Sequence, residues 1–228
     1  MATDTYIVIA AYNEEKAIAN VVKGLQKEGY QHIIVVDDGS KDKTAAQAEK
    51  AGAKALRHII NRGQGAALRT GITYALKNGA HLLVTFDADG QHDPADIKKM
   101  IAPVAHGECD VTLGSRFLRR QSADKVPFFR KMILKLAILF TWIVNGIRLT
   151  DVHNGLRCLS RTAAQKIMIT SSRMEHASEI LEEIKRKKLR YKEIPVTIAY
   201  TDYSKMKGQS SMKSIEIGLK LLVKKLMR

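Results

Sequence analysis

Short runs of β-forming residues alternate with amphipathic helical patterns through about the first half of the chain. The spacing predicts strands at Thr5–Ala10, Ile33–Val36, Lys54–His58, Leu82–Phe86 and Val111–Gly114. It predicts helices at Glu14–Glu28, Asp42–Ala51, Gly63–Asn78 and Pro94–Ala105. This alternation predicts an α/β fold with a mostly parallel, doubly wound sheet. Sheets of this kind bind ligands beyond the carboxyl ends of their strands.

Polar side chains follow four of these strands. The clusters are Tyr12-Asn13-Glu14, Asp37-Asp38-Gly39-Ser40, Asp87-Ala88-Asp89 and Ser115-Arg116. Surface decoration does not account for reactive side chains at four strand ends, so we expect a ligand site along this edge of the sheet.

Asp87 and Asp89 are spaced so that, in extended backbone, both carboxylates project to the same side. With Gln91 following, they form a set of hard oxygen donors suited to Mg²⁺ or Mn²⁺, ions that keep open positions for substrate phosphates. A simple polar turn is the alternative reading of a lone pair of this type. Asp93, which precedes Pro94, has the pattern of a helix N-cap.

Two further patterns are open to both a binding and a structural reading. Asp37 and Asp38 provide carboxylates that could accept hydrogen bonds from a base or a ribose, although a cap for the following helix also explains part of this cluster. The glycines of Asn61-Arg62-Gly63-Gln64-Gly65 open a helix. In the binding interpretation, their backbone N–H groups lie next to a phosphate. In the structural interpretation, the glycines only allow close packing.

The second half of the chain is less regular and more basic. Formal net charge is +15, and residues 185–228 hold 13 Lys and Arg against 3 Asp and Glu, which favours an anionic partner. The apolar stretch Ile133–Leu149 contains charged residues and is too short to span a bilayer, so we expect a core helix or one lying in the membrane interface. A helix at Met174–Lys188 and a strand at Tyr191–Tyr200 are also predicted.

The C-terminal helix predicted at Ser214–Arg228 has an apolar face flanked by lysines, which is typical of a helix on an anionic membrane surface. No signal peptide opens the chain, and the two cysteines lie in no paired motif. We therefore expect a cytoplasmic protein with reduced thiols, peripheral on the inner face of the cell membrane.

Five motifs in order carry a family resemblance: AAYNEE (10–15), VVDDGS (35–40), NRGQGAALRTG (61–71), DADGQHDP (87–94) and GSR (114–116). Together they resemble the family 2 glycosyltransferases of the GT-A fold. Asp151 with Asn154-Gly155-Leu156-Arg157, then Glu179 and the 208–211 segment, are similar to features of the polyprenyl-phosphate branch, typified by dolichyl-phosphate mannose synthase. Ala10 replaces the usual proline of the first motif, and Leu156 replaces a usual aromatic.

The resemblance implies a role for each matching position. It implies a metal held by Asp87, Asp89 and Gln91, and a nucleotide-sugar lined by Ala10, Tyr12, Glu14, Asp37, Asp38, Gly65, Asp87 and Ala88. For the acceptor side and a closing loop it implies Arg116, Arg130, Asp151, Arg157, Lys205, Lys207 and Ser211. The catalytic residues would be Asp89, Arg116 and Arg130, with Glu179 or Asp93 as the base if one exists.

The expected activity is an inverting, metal-dependent transfer of a hexosyl or N-acetylhexosaminyl group from a UDP- or GDP-sugar to a polyprenyl phosphate. Residues 1–210 would form the catalytic domain, with a nucleotide-sugar half (1–120) and an acceptor half (121–210), and 211–228 a basic helix. Since relatives often carry membrane helices, a small membrane-protein partner is a further expectation.

Three rival functions differ in what the sequence offers for them. Transfer to a glycan hydroxyl stays open as an alternative. A sugar-1-phosphate nucleotidyltransferase would show a Gly-rich signature after the first strand, which is absent. A nucleic-acid binder is disfavoured by the low aromatic content of 6% and by the acidic cluster, so we expect no nucleic-acid partner.

Overall fold

The computed structural model describes residues 5–118, 147–152 and 154–199. Several predictions lie outside these residues: most of the 133–149 helix, the 205–211 loop, the 211–228 helix, and the positions Arg130, Lys205, Lys207 and Ser211.

Seven strands form one sheet within the described residues. They are β1 (Thr5–Ala11), β2 (His32–Asp37), β3 (Lys54–Arg57), β4 (Leu82–Asp87), β5 (Val111–Ser115), β6 (Arg157–Ser160) and β7 (Tyr191–Pro195). The helices described are α1 (Ile18–Lys27), α2 (Thr44–Lys50), α3 (Gln64–Lys77), α4 (Ile97–Ala105), α5 (Arg161–Lys166) and α6 (His176–Arg186). A 3₁₀ turn, Pro94–Asp96, leads into α4.

The strand order is β3-β2-β1-β4-β6-β5-β7. β6 is antiparallel to both β4 and β5, and the other strand pairs are parallel. The predicted α/β fold with a mostly parallel sheet is therefore confirmed. β6 and α5 were not predicted, and β6 separates two strands, β4 and β5, that are consecutive in the predicted pattern.

Helices cover both faces of the sheet, as a doubly wound fold requires. Successive residues of β1 point to opposite faces: Ile7 and Ile9 join the core under α1, α2 and α4, whereas Val8 joins the core under α3, α5 and α6. All three side chains are fully buried. Burying a side chain of this size stabilises the fold by about 1.5–3 kcal/mol, so the two cores hold the strand ends in fixed register.

Three predicted boundaries were wrong. The helix predicted from Glu14 begins at Ile18, because residues 14–17 form a turn that is bonded to the segment after β2. The last strand ends at Pro195, and only an isolated bridge at Ile198 continues it. Residues 147–149 are not helical, so the predicted 133–149 helix does not reach Leu149. Across the described segments, no helix has the length and apolar character needed to cross a membrane.

Candidate active site at the carboxyl edge of the sheet

The sheet register brings the polar strand ends together. Ala10 pairs with Val36 on one side and with Asp87 on the other, and Ala11 pairs with Asp37. Because neighbouring strands lie about 4.8 Å apart, the ends of β2 and β4 are separated by roughly 10 Å, with the end of β1 between them. The prediction that these clusters share one edge is correct.

Asp87 ends β4, and three neighbours fix its carboxylate. His92 Nε2 lies 2.9 Å from Oδ2, and Gln64 Nε2 lies 3.5 Å from Oδ1. Gly155 packs so closely that an added Cβ would stand 2.4 Å from Oδ1. Burial acts to raise the pKa of Asp87, but the hydrogen bond and charge of His92, with His176 and Arg157, outweigh it and hold this pKa below its usual value. Asp87 is thus a preoriented, ionised carboxylate.

Asp89 lies in the turn after β4, and its electrostatic situation is opposite. Its pKa is raised by burial first, then by the charges of Asp87 and Glu14, although the Gln91 N–H donates to Oδ1 at 3.0 Å. Gly90, with φ of 73°, supplies the left-handed residue that this turn requires. Like charges gathered in a partly desolvated turn favour a bound cation.

The donor set fits a hard divalent cation. Asp87 and Asp89 offer carboxylate oxygens and Gln91 offers an amide oxygen, which are the ligand types that Mg²⁺ and Mn²⁺ take. In the described part of the chain, no three His, Cys, Asp or Glu side chains converge as a complete set of metal ligands.

Asp37 and Asp38, which the sequence could not separate, have different surroundings. Asp38 accepts from His58 Nδ1 and Arg62 N through Oδ1, at 2.7 and 3.0 Å, and from Gly63 N through Oδ2 at 2.6 Å. It therefore fixes the turn before α3. Asp37 Oδ1 accepts from Ser40 N at 3.0 Å, but its Oδ2, buried and 3.4 Å from Arg57 Nε, accepts no hydrogen bond from the described residues. Asp37 Oδ2 therefore has only a long ion pair with Arg57, in contrast to the fully hydrogen-bonded carboxylate of Asp38.

The turn after β1 is tied to the segment after β2. Asn13 adopts φ of 54° and accepts from Lys41 N at 2.9 Å, and Glu14 N donates to Thr44 Oγ1 at 2.8 Å. Tyr12 is 42% exposed above this turn. An exposed aromatic ring on a fixed turn at this edge is available to a planar ligand group, in line with its predicted place in the nucleotide pocket.

Gly63 and Gly65 allow close packing at the start of α3. A Cβ at Gly65 would stand 2.1 Å from Ser171 O, and Ala66 N donates to Ser172 O at 3.2 Å. The 170–172 segment is held in turn by Glu179, which accepts from Ser171 N at 2.8 Å and from both the N–H and the hydroxyl of Thr170. These contacts give Gly65 and Glu179 structural tasks, while their predicted roles in binding and catalysis stay predictions.

Two buried arginines lie beyond the turn that carries Asp87 and Asp89, on the side away from Asp37. Arg116, 6% exposed, donates through Nε to Asp151 Oδ2 at 2.6 Å and through its backbone N at 3.2 Å. Arg157, on β6, is 5% exposed. Burial lowers its pKa to about 10, and the charges of Asp87 and Asp151 act in the opposite direction. The predicted acceptor residues Arg116, Asp151 and Arg157 thus adjoin the predicted metal ligands.

The structure also describes the predicted positions Asp93 and Ala88, and it reveals two histidines near Asp87. Asp93 accepts from Ala95 N at 3.0 Å, which confirms its N-cap role. Ala88 is buried within the turn that carries both metal-ligand candidates. Sequence reasoning missed His92 and His176, which both act on Asp87. His92 lies within the DADGQHDP motif, and this position could have indicated a contact with Asp87. Nothing in the sequence around His176 indicates its proximity to Asp87.

A comparison with protein families decides the classification. The family described as "Glycosyl transferase family 2" matches residues 6–168. The chain belongs to glycosyl transferase family 2. It is accordingly a glycosyltransferase, and the resemblance drawn from its five motifs is confirmed.

Relatives match between 73% and 98% of this chain. A UDP-N-acetylglucosamine–dolichyl-phosphate N-acetylglucosaminyltransferase of Methanococcus voltae is 36% identical over 97% of this chain and 96% of its own length. A polyprenol monophosphomannose synthase of Mycolicibacterium smegmatis is 32% identical over 73% of this chain and 65% of its own. A Methanocaldococcus jannaschii protein without a named activity is 40% identical over 98% of this chain and 93% of its own.

Solved structures confirm the GT-A fold of this family 2 member. Glucosyl-3-phosphoglycerate synthase of Mycobacterium tuberculosis, in complex with phosphoglyceric acid, matches with a TM-score of 0.75 at 16% identity, over 98% of this chain and 78% of that one. The same enzyme in complex with Mn²⁺, UDP-glucose and phosphoglyceric acid matches with a TM-score of 0.74, also at 16% identity, over 96% and 77%.

Proposed function

We propose that this protein transfers a hexosyl or N-acetylhexosaminyl group, with inversion, from a UDP- or GDP-sugar to a polyprenyl phosphate. The observation that carries the proposal is the strand order β2-β1-β4-β6-β5. It sets the end of β4, with Asp87 and then Asp89, between Asp37 at the end of β2 and the buried arginines Arg157 of β6 and Arg116 after β5. An arrangement of this kind suits a nucleotide diphosphate on one side and an anionic acceptor on the other.

On the donor side, Asp87, Asp89 and Gln91 would hold Mg²⁺ or Mn²⁺. When bound, such an ion would neutralise charge on the leaving diphosphate. Tyr12 and Asp37 would orient the nucleoside, the first by its exposed ring and the second by its carboxylate at the end of β2. Single displacement on this scaffold implies inversion at the anomeric carbon.

On the acceptor side, a phosphate monoester is the best-suited nucleophile. Its second pKa is about 6, so it is largely ionised near neutral pH and needs no strong general base, whereas a sugar hydroxyl would need one. The two candidate bases each accept backbone N–H groups, Asp93 from Ala95 and Glu179 from Thr170 and Ser171. Arg116, held by Asp151, would meet the acceptor phosphate. The names of two relatives support this acceptor class, since one contains dolichyl phosphate and the other polyprenol monophosphomannose.

The acceptor class implies work at a membrane surface. We propose that the enzyme is cytoplasmic and peripheral on the inner face of the membrane, drawn there by its charge of +15. Recruitment by a small membrane protein is part of the same proposal. Flotation with anionic liposomes tests it directly: salt-sensitive co-flotation supports surface binding, and no flotation with or without the membrane partner contradicts it.

A nucleotide-release screen tests the reaction. UDP- and GDP-sugars are supplied with Mn²⁺ or Mg²⁺, with and without a polyprenyl phosphate, to the wild-type enzyme, to Asp89→Ala and to the surface control Asp110→Ala. We expect release that needs both metal and lipid phosphate, is lost in Asp89→Ala and persists in Asp110→Ala. Release independent of the lipid phosphate would contradict the proposed acceptor and favour a glycan hydroxyl.

A further inference from the structure

We infer that His92 is a positioning residue that holds Asp87 in its metal-binding orientation through a single hydrogen bond from Nε2. The inference rests on the proposed metal site. His92 is 6% exposed, and its Nε2 lies 2.9 Å from Asp87 Oδ2. That contact is much shorter than the 3.5 Å contact of Gln64 with Oδ1, so His92 provides the stronger of the two side-chain contacts on this carboxylate.

The hydrogen-bond geometry identifies the donor atom. An ionised carboxylate only accepts, so the proton of the contact belongs to His92 Nε2. Nδ1 is buried and has no hydrogen-bond partner among the described residues. The contact with Asp87 is therefore the one side-chain hydrogen bond that the ring makes to the described residues.

The imidazole has little freedom to turn away from Asp87. Its ring packs on Phe86, with 5.4 Å between centroids and an angle of 58° between planes. The backbone at residues 91 and 92 pairs with residues 198 and 199. His92 forms a β-bridge with Ile198, and Ala199 N donates to Gln91 O at 2.8 Å. Packing and backbone pairing therefore fix the donor before any ligand binds.

A fixed donor on one oxygen determines which lone pairs of Asp87 remain for a cation. Gly155 lies against the same carboxylate, which restricts its rotation further. Groups that orient metal-binding side chains in this way contribute about 10–100-fold to metal affinity. His92 would therefore contribute to metal binding without contacting the ion.

Substitutions that keep, move or remove the donor test the inference. Glutamine can place an N–H close to the position of Nε2, whereas asparagine reaches only the position of Nδ1. We expect His92→Gln to bind Mn²⁺ within about threefold of wild type, and His92→Asn to bind it about 10–100-fold more weakly. His92→Phe keeps a ring against Phe86 without any donor and should show the same loss as His92→Asn.

Mn²⁺ binding is read by electron paramagnetic resonance titration in the presence of UDP or GDP, without sugar or acceptor, so that no turnover is involved. Thermal melting checks that each variant is folded. Equal Mn²⁺ affinity in wild type, His92→Asn and His92→Phe would overturn the inference while leaving the metal site standing. Equal weakening in all three variants would assign His92 a general packing role and also overturn it. No Mn²⁺ binding by the wild-type protein would overturn the metal-site proposal itself.

Discussion

Gly155 lies directly against the Asp87 carboxylate, so that a Cβ at this position would stand 2.4 Å from Oδ1 and 2.5 Å from Oδ2. The contact joins the turn before β6 to the end of β4, and Thr85 Oγ1 reinforces it by donating to Gly155 O at 2.6 Å. The glycine is required by the close approach of a charged side chain, since its φ is not in the left-handed region.

Gly155→Ala should therefore displace Asp87 without unfolding the protein. We expect the Mn²⁺ concentration for half-maximal activity to rise about 10–100-fold, because the carboxylate must rotate away from its position. Gly24→Ala, where the Cβ would meet only Pro94 Cγ at 3.3 Å, is the matched control and should leave this concentration unchanged. An unaltered Mn²⁺ dependence in Gly155→Ala would show that the orientation of Asp87 is unimportant.

Asp37→Asn and Asp38→Asn should separate donor binding from stability. Both carboxylate oxygens of Asp38 accept N–H groups, and asparagine at 38 would place an NH₂ group opposite some of these donors. We therefore expect a loss of about 1–3 kcal/mol in the free energy of unfolding. Asparagine at 37 can still accept from Ser40 N and loses only the 3.4 Å pair with the exposed Arg57, so the stability loss should be smaller while the KM for the nucleotide-sugar rises. Urea unfolding and donor titration measure the two effects. Equal stability losses in both variants would contradict the assignment.

Arg116→Ala should be strongly destabilising, because it breaks the buried ion pair between Arg116 and Asp151. Breaking a buried pair of this type costs about 3–5 kcal/mol. The control is Arg190→Ala, which breaks an exposed, solvent-screened pair with Asp110 and should cost far less than the loss of Arg116. The comparison is made by urea denaturation at neutral pH, and similar losses in the two variants would count against a buried ion pair.

His176 should make the folded state sensitive to acid. Burial, assisted by the charge of Arg157, lowers its pKa from 6.5 to about 4. Between these values the unfolded chain binds a proton that the folded protein does not, so stability falls as pH falls from about 6.5 to about 4, by of order 3 kcal/mol. His176→Asn, which can still donate to Arg173 O from the Nδ1 position, should remove this part of the pH dependence.

Urea unfolding of wild type and His176→Asn at pH 7 and pH 4.5 provides the measurement. Several carboxylates, such as Asp110 and Glu179, have lowered pKa values and also lose their contribution to stability in acid. Their effect is common to both proteins, so the difference between the two pH dependences isolates His176. Identical pH dependences would show that this imidazole titrates normally in the folded state.

The parallel strands were predictable because each is a run of buried apolar residues set between helical patterns. β6 was not, since it has only four residues and begins with Arg157, which reads as a polar loop residue. It forms a strand because Thr85 and Leu113 offer pairing positions on either side of Arg157, and the nearby charges of Asp87 and Asp151 stabilise its buried guanidinium. This information lies in tertiary contacts and not in local pattern.

In the candidate site, too, some features follow from local sequence pattern and others from tertiary contacts. The spacing of Asp87 and Asp89 predicts two carboxylates on one side of an extended strand, and the metal site that they would form stays a prediction. In the structure β4 ends at Asp87 and Asp89 lies in the following turn. Adjacent residues such as Asp37 and Asp38 cannot be distinguished in this way. Their tasks depend on Gly63, His58 and Arg57, which reach them from 20 or more positions along the chain or across a strand pair.

The chemical linkage of the product tests the central claim most directly. The enzyme is incubated with Mn²⁺, the active nucleotide-sugar and a short-chain polyprenyl phosphate, and the lipid fraction is analysed by mass spectrometry and by ³¹P–¹H correlation. The account predicts one sugar added to the lipid, with the anomeric proton coupled to phosphorus and the anomeric configuration inverted relative to the donor. A lipid phosphate that stays unmodified while the sugar appears on a glycan hydroxyl would contradict it.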